Sequence, residues 1–116
     1  MKVAAQLLRH RGSGALHYDL VLGQGRRCPT LSLVPPPRRW TATWNLPHRR
    51  SWLTRAAPLT GGRGVAERIW RGTAQRHGRA VLLPGAAITW TGARVAITGW
   101  LARLPPHGRY RHLHRF

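Results

Sequence analysis

The sequence predicts an all-β chain, mainly antiparallel, in the form of a small barrel or sandwich. Three observations carry this. Short apolar or β-branched runs recur at near-regular spacing, with Gly, Pro or polar turn signals between them. No stretch sustains a helical period. At 116 residues the chain, 1–116, suffices for one domain with one core. Six Trp and 42% apolar residues argue against disorder.

The elements follow in order. Residues 3–9 are too brief a run to separate strand from short helix. His10-Arg11-Gly12-Ser13-Gly14 reads as a turn or loop. Leu16-His17-Tyr18-Asp19-Leu20-Val21-Leu22 alternates as a strand. Leu16, Tyr18, Leu20 and Leu22 take one face, and His17, Asp19 and Val21 the other. Gly23 to Arg27 is a basic turn, and Thr30 to Val34 a short strand ended by Pro35-Pro36-Pro37. Residues 38–47 are Trp-rich and extended, up to Pro47. His48 to Trp52 opens a segment of loops whose tightest turn is Gly61-Gly62-Arg63-Gly64. Val65 to Trp70 is a strand, with Arg71-Gly72 as the turn after it. Arg79–Leu83, Ala86–Trp90 and Arg94–Leu101 are further strands, separated by Pro84-Gly85 and Thr91-Gly92. A last strand runs from Tyr110 to Phe116. Trp70 and Trp100 each close an alternating strand and are expected to be buried. Trp40, beside Arg38 and Arg39, is expected to be exposed and free to stack on a terminal base.

The formal net charge is +18, from twenty basic residues against two acidic ones. Lys2 is the only lysine; the other nineteen are arginine. The planar guanidinium suits bidentate phosphate contact, so the balance points to a polyanionic partner, above all nucleic acid. A GC-rich coding bias would also enrich arginine, but it does not account for the near-total loss of acids. Cys28 is single, so no internal disulfide forms and a reducing compartment fits. The N-terminal residues contain no apolar run long enough for a signal peptide or membrane span, so the expected location is cytoplasmic.

Asp19 is the only aspartate in the chain. Period-two spacing sets it beside His17, and His10 stands just before. Two imidazoles and a carboxylate, with positions left for water and substrate, make an open divalent-metal site suited to manganese or zinc. The bland alternative is a His–Asp hydrogen bond that pins a strand. His48, amid Arg49, Arg50 and Trp52, can hydrogen-bond or protonate a phosphate oxygen, or be a surface histidine. Gly61 to Gly64 with Arg63 can present amides and a guanidinium to an anion, or be a hairpin turn. His112 and His114 share a strand face without an assigned role. Other templates fail: there is no Walker-type loop, no Cys–His finger and no acid pair for glycosidase chemistry. With Asp19 and Glu67 as the only acids, a two-metal nuclease built on carboxylate clusters is excluded.

Arg9-His10, the strand Leu16 to Leu22, Leu46-Pro47-His48, Gly61-Gly62-Arg63-Gly64 and Ile69-Trp70-Arg71-Gly72, in this order, resemble the 3′-phosphoesterase domain of bacterial DNA ligase D. The likeness is to its short, stand-alone form and covers roughly residues 7–72. The resemblance implies a compact β-barrel with short flanking helices or loops. It implies trimming of DNA 3′ ends, removing a terminal ribonucleoside and then the 3′-phosphate, with Mn2+ as cofactor and Zn2+ or Co2+ as substitutes. It further implies metal ligands at His10, His17 and Asp19, and catalytic roles for His48, Asp19 and His17. Arg49, Arg50, Arg63 and Trp52 would meet phosphate or nucleic acid. The implied partners are DNA 3′ ends or DNA/RNA junctions, and an end-joining ligase or Ku-like protein.

The chain departs from the family pattern at several positions. One extra residue lies between the two metal histidines, so His10 is expected to reach over from a longer loop. Val21 replaces an arginine, Trp52 a tyrosine, and Thr54 and Ala56 an acidic pair. Loss of the tyrosine hydroxyl and of the arginine favours an alternative: a non-catalytic, arginine-rich nucleic-acid-binding relative. A third reading is an arginine-rich nucleoprotein component in which the His–Asp strand is incidental.

Overall fold

The computed structural model describes residues 1–11, 16–36, 39–49, 57–58 and 65–105. Among these the chain is antiparallel strand with a single 3-10 turn. The strands are β1 (Lys2–Arg11), β2 (His17–Leu22), β3 (Arg27–Val34), β4 (Thr41–Arg49), β5 (Ala57–Pro58), β6 (Val65–His77), β7 (Ala80–Leu83), β8 (Ala86–Thr91) and β9 (Arg94–Gly99). A 3-10 helix, Trp100–Arg103, follows. All nine strands form one sheet in the order β4-β3-β2-β1-β6-β7-β8-β9, with β5 paired to β6 on the edge away from β1. The sheet curls until β4 approaches β9, so it is a small barrel, nearly closed. Among the described residues, no helix is long and apolar enough to cross a membrane.

Strand alternation places the core. Leu16, Tyr18, Leu20 and Leu22 pack inward with Ala5 and Leu7 of β1 and Leu31 and Leu33 of β3. Ala74, Val81, Ile88 and Leu101 complete this interior from the other half of the sheet. Each fully buried leucine stabilises the fold by about 1.5–3 kcal/mol. The outer face is also covered near β2: Leu8, Val21 and Cys28 are buried together there. Strand β2 is therefore buried on both faces, which makes a polar outer pair such as His17 and Asp19 costly unless its atoms find partners.

Several boundaries differ from the sequence reading. Residues 3–9 belong to a strand, β1, which runs on through His10 and Arg11 rather than turning there. Its partners on both sides supply the hydrogen bonds that settle the choice. Strand β3 starts before Pro29. The register shift between Cys28 and Thr30 absorbs that proline, as a bulge does. Strand β4 continues through Pro47 to Arg49. Arg71-Gly72 is no turn: β6 passes straight through to His77. Gly72 serves packing instead, since a Cβ there would lie 2.5 Å from the Trp70 ring, which occupies that space. The strand predicted to end at Leu101 stops at Gly99, whose φ of 73° turns the chain into the 3-10 helix.

Trp70, Trp100 and Trp40 do not divide as expected; all three are half-buried and pack against the core. Trp70 and Trp100 rest on each other at the barrel rim, with centroids 5.3 Å apart, and Trp40 leans towards Tyr18. The predicted Gly61–Gly64 turn and Tyr110–Phe116 strand lie outside the described residues.

Candidate metal centre

The site grows from the β1–β2 hairpin. Its register sets His10 opposite His17 and Leu8 opposite Asp19. Residues opposite one another share a face, so His10, His17 and Asp19 all project from the outer side of the sheet. His10 therefore does not arch over from a loop. It reaches the site from within β1, paired with His17.

The three side chains converge. His10 Nδ1 lies 2.9 Å from His17 Nε2, and His17 Nε2 lies 3.3 Å from Asp19 Oδ2. The two imidazole rings meet edge to face, with centroids 4.5 Å apart. One ligand atom from each residue falls within 4.8 Å of the other two. Donors held at about 2.1 Å by one ion lie about 3.0–3.4 Å apart in neighbouring positions, so the set fits one divalent cation. The histidines are partly open and Asp19 is only 7% exposed. Substrate or water can thus approach from the histidine side while the carboxylate stays anchored.

That anchoring comes from the next strands. Ser32 is opposite Asp19 in the β2–β3 register, and its hydroxyl donates to Asp19 Oδ1 at 2.7 Å. Asn45 of β4 donates Nδ2 to Ser32 Oγ at 3.3 Å. One carboxylate oxygen is thereby fixed, and the other turns toward His17. Partners of this kind orient a ligating carboxylate and raise affinity for the ion. Ser32 and Asn45 had no place in the sequence reading. The β2–β3 hairpin is centred between Gly25 and Arg26, and that register, which the Gly23 to Arg27 turn signal does not specify, brings Ser32 level with Asp19.

The other acid has a different task. Glu67 accepts a hydrogen bond from the Arg9 guanidinium across β1 and β6, on the inner face. Arg9 is 2% exposed, so this pair is structural in placement and separate from the histidines.

The remaining predicted site residues are not brought to the centre by anything described. The backbone of His48 lies in β4 opposite Cys28. The side chains of His48 and Arg49 are outside the described residues, as are Arg50, Trp52 and Arg63. Val21, standing where the resembled family has an arginine, is fully buried against Leu8 and Cys28. No family model matches the chain, and neither a curated protein nor a solved structure matches it.

Proposed function

We propose that this protein is a metal-dependent phosphoesterase acting on DNA 3′ ends, removing a 3′-phosphate or 3′-ribonucleoside before end joining. The observation that supports this most is the convergence of His10, His17 and Asp19 on one outer face. His10 Nδ1, His17 Nε2 and Asp19 Oδ2 would hold one divalent ion, Mn2+ by preference over Zn2+ or Co2+. When bound, the ion supplies a Lewis acid for the phosphoryl oxygen.

The chain's own residues do the rest. Ser32 and Asn45 keep Asp19 from rotating. The partly open histidines leave an approach for a terminal phosphate. His48 is assigned to stabilise or protonate that phosphate. Arg49, Arg50 and Arg63, with Trp52, would hold the adjoining nucleotides. The overall charge of +18 draws DNA to the surface. An end-joining ligase or Ku-like protein is the natural recipient of the trimmed end, in the cytoplasm.

A second reading is a non-catalytic nucleic-acid-binding relative. Burial of Val21 favours it, because no guanidinium can project from that position beside Asp19. The deciding experiment incubates purified protein with Mn2+ and a primer–template ending in a 3′-phosphate. Conversion to 3′-hydroxyl by wild type but not by Asp19→Ala supports the enzyme. DNA binding without conversion by either protein supports the second reading.

A further inference from the structure

Two tryptophans and two arginines stand apart from the metal centre and have no task in it. Trp44 of β4 and Trp90 of β8 stack across the barrel seam, with centroids 6.2 Å apart and planes inclined by 23°. The guanidinium carbon of Arg76 lies 4.3 Å from the centroid of the Trp44 ring. With Arg79, Ala80 and Val81 these residues line a cavity of about 280 Å³. Trp44 is 39% exposed, a large apolar surface to leave in water.

Register explains the placement. Trp44 lies opposite the core residue Leu31, and Arg76 lies opposite the core residue Val81. Both therefore stand on the inner face of the sheet, near the seam between its edge strands β4 and β9. The histidines and Asp19 stand on the outer face. Strand β6 joins the two regions: Ala66 faces His10, and Arg76 enters the groove about 30 Å further along at strand rise.

The polar groups of this groove are cationic and held in place. Arg79 donates Nε to Trp90 O at 3.4 Å and Nη2 to Gly92 O at 2.5 Å, which uses two of its five donors. Its guanidinium is thus fixed beside the groove, and the residue is exposed. The charge of Arg76 sits over an aromatic face and makes no hydrogen bond or ion pair among the described residues. Aromatic faces flanked by guanidinium groups match a nucleobase and its neighbouring phosphates.

We propose that the Trp44–Trp90 groove is a base-stacking site for single-stranded nucleic acid. A base stacks on the tryptophan pair, and the adjoining phosphates meet Arg76 and Arg79. The proposal shares the nucleic-acid partner of the function proposed above but not its catalytic residues.

The test measures binding of wild-type protein to two labelled oligomers of about twelve units at one moderate salt concentration. One is oligothymidylate, and the other is its abasic counterpart with the same phosphates. The groove predicts at least about fivefold tighter binding of the oligomer with bases. Trp44→Ala removes most of that preference while binding the abasic oligomer as wild type does, and Arg76→Gln weakens both. Equal wild-type affinity for the two oligomers overturns the proposal, leaving the tryptophans as a seam closure. An undiminished base preference in a folded Trp44→Ala also overturns it. Asp19→Ala should retain the full preference, so failure at the metal centre and failure here are distinguishable.

Discussion

Glu67→Gln is a sharp test of how the chain divides its two acids. In the wild-type protein Glu67 accepts from the Arg9 guanidinium, which is 2% exposed. A guanidinium cannot shed its proton, so Arg9 remains a buried cation after the substitution. Removing one member of a buried pair costs about 3–5 kcal/mol. The Glu67 side chain is 30% exposed, so water screens the pair, and the glutamine carbonyl can still accept. The cost falls to about 2 kcal/mol on that account. For a chain of this size each kcal/mol moves Tm by about 4 °C, so Glu67→Gln should melt about 8 °C lower. Glu67→Ala, which removes this acceptor altogether, should melt lower still. Thermal unfolding by circular dichroism measures both. Divalent-ion affinity should be unchanged in Glu67→Gln, since the histidines and Asp19 lie on the other face. A Tm within about 2 °C of wild type would refute the reasoning, as would a loss of ion binding with stability intact.

Other outcomes follow from the same geometry. Ser32→Ala removes the hydroxyl donor to Asp19 Oδ1 and should weaken divalent-ion binding about 10- to 100-fold, read by calorimetry, with a stability loss of about 1–3 kcal/mol. Gly99→Ala should lower stability by at least about 1–3 kcal/mol. Its φ is 73° and a Cβ would collide with the Gly85 carbonyl, so a neutral result in a urea titration counts against the turn into the 3-10 helix at this glycine. Duplex DNA affinity should fall linearly in log–log form as salt rises, with a slope of about −0.9 per phosphate neutralised. A flat response would show that the arginines do not form a binding surface.

The fold class was legible because turn signals and alternation agree over most of the chain. Tyr18, Leu20 and Leu22 show their inward face in sequence, and the structure keeps it. Sequence and structure part where one residue type admits two uses. Gly72 resembles a turn glycine but makes room for the Trp70 ring inside β6. Pro29 and Pro47 resemble strand breakers but lie within β3 and β4, where a bulge accommodates Pro29. Burial of the tryptophans depends on the strand across the barrel, which local spacing does not encode. Trp44 reaches Trp90 only through closure of the sheet.

The candidate site was legible in part. His17 and Asp19 are two residues apart in one strand, so their shared face follows from the pleat. The contribution of His10 needed the hairpin register, and its place inside β1 was not visible from a Gly-rich neighbourhood. Ser32 and Asn45 belong to strands more remote in sequence and enter only through pairing.

The proposed function requires His10, His17 and Asp19 together to hold one divalent ion. Titration of the purified protein with Mn2+, followed by the loss of the free-ion electron paramagnetic resonance signal, measures this directly. One tight site per chain is expected in wild type, lost in Asp19→Ala and retained in Glu67→Gln. Binding of equal strength in wild type and Asp19→Ala, or no binding to wild type, would contradict it and leave the three side chains as a hydrogen-bonded tie between strands.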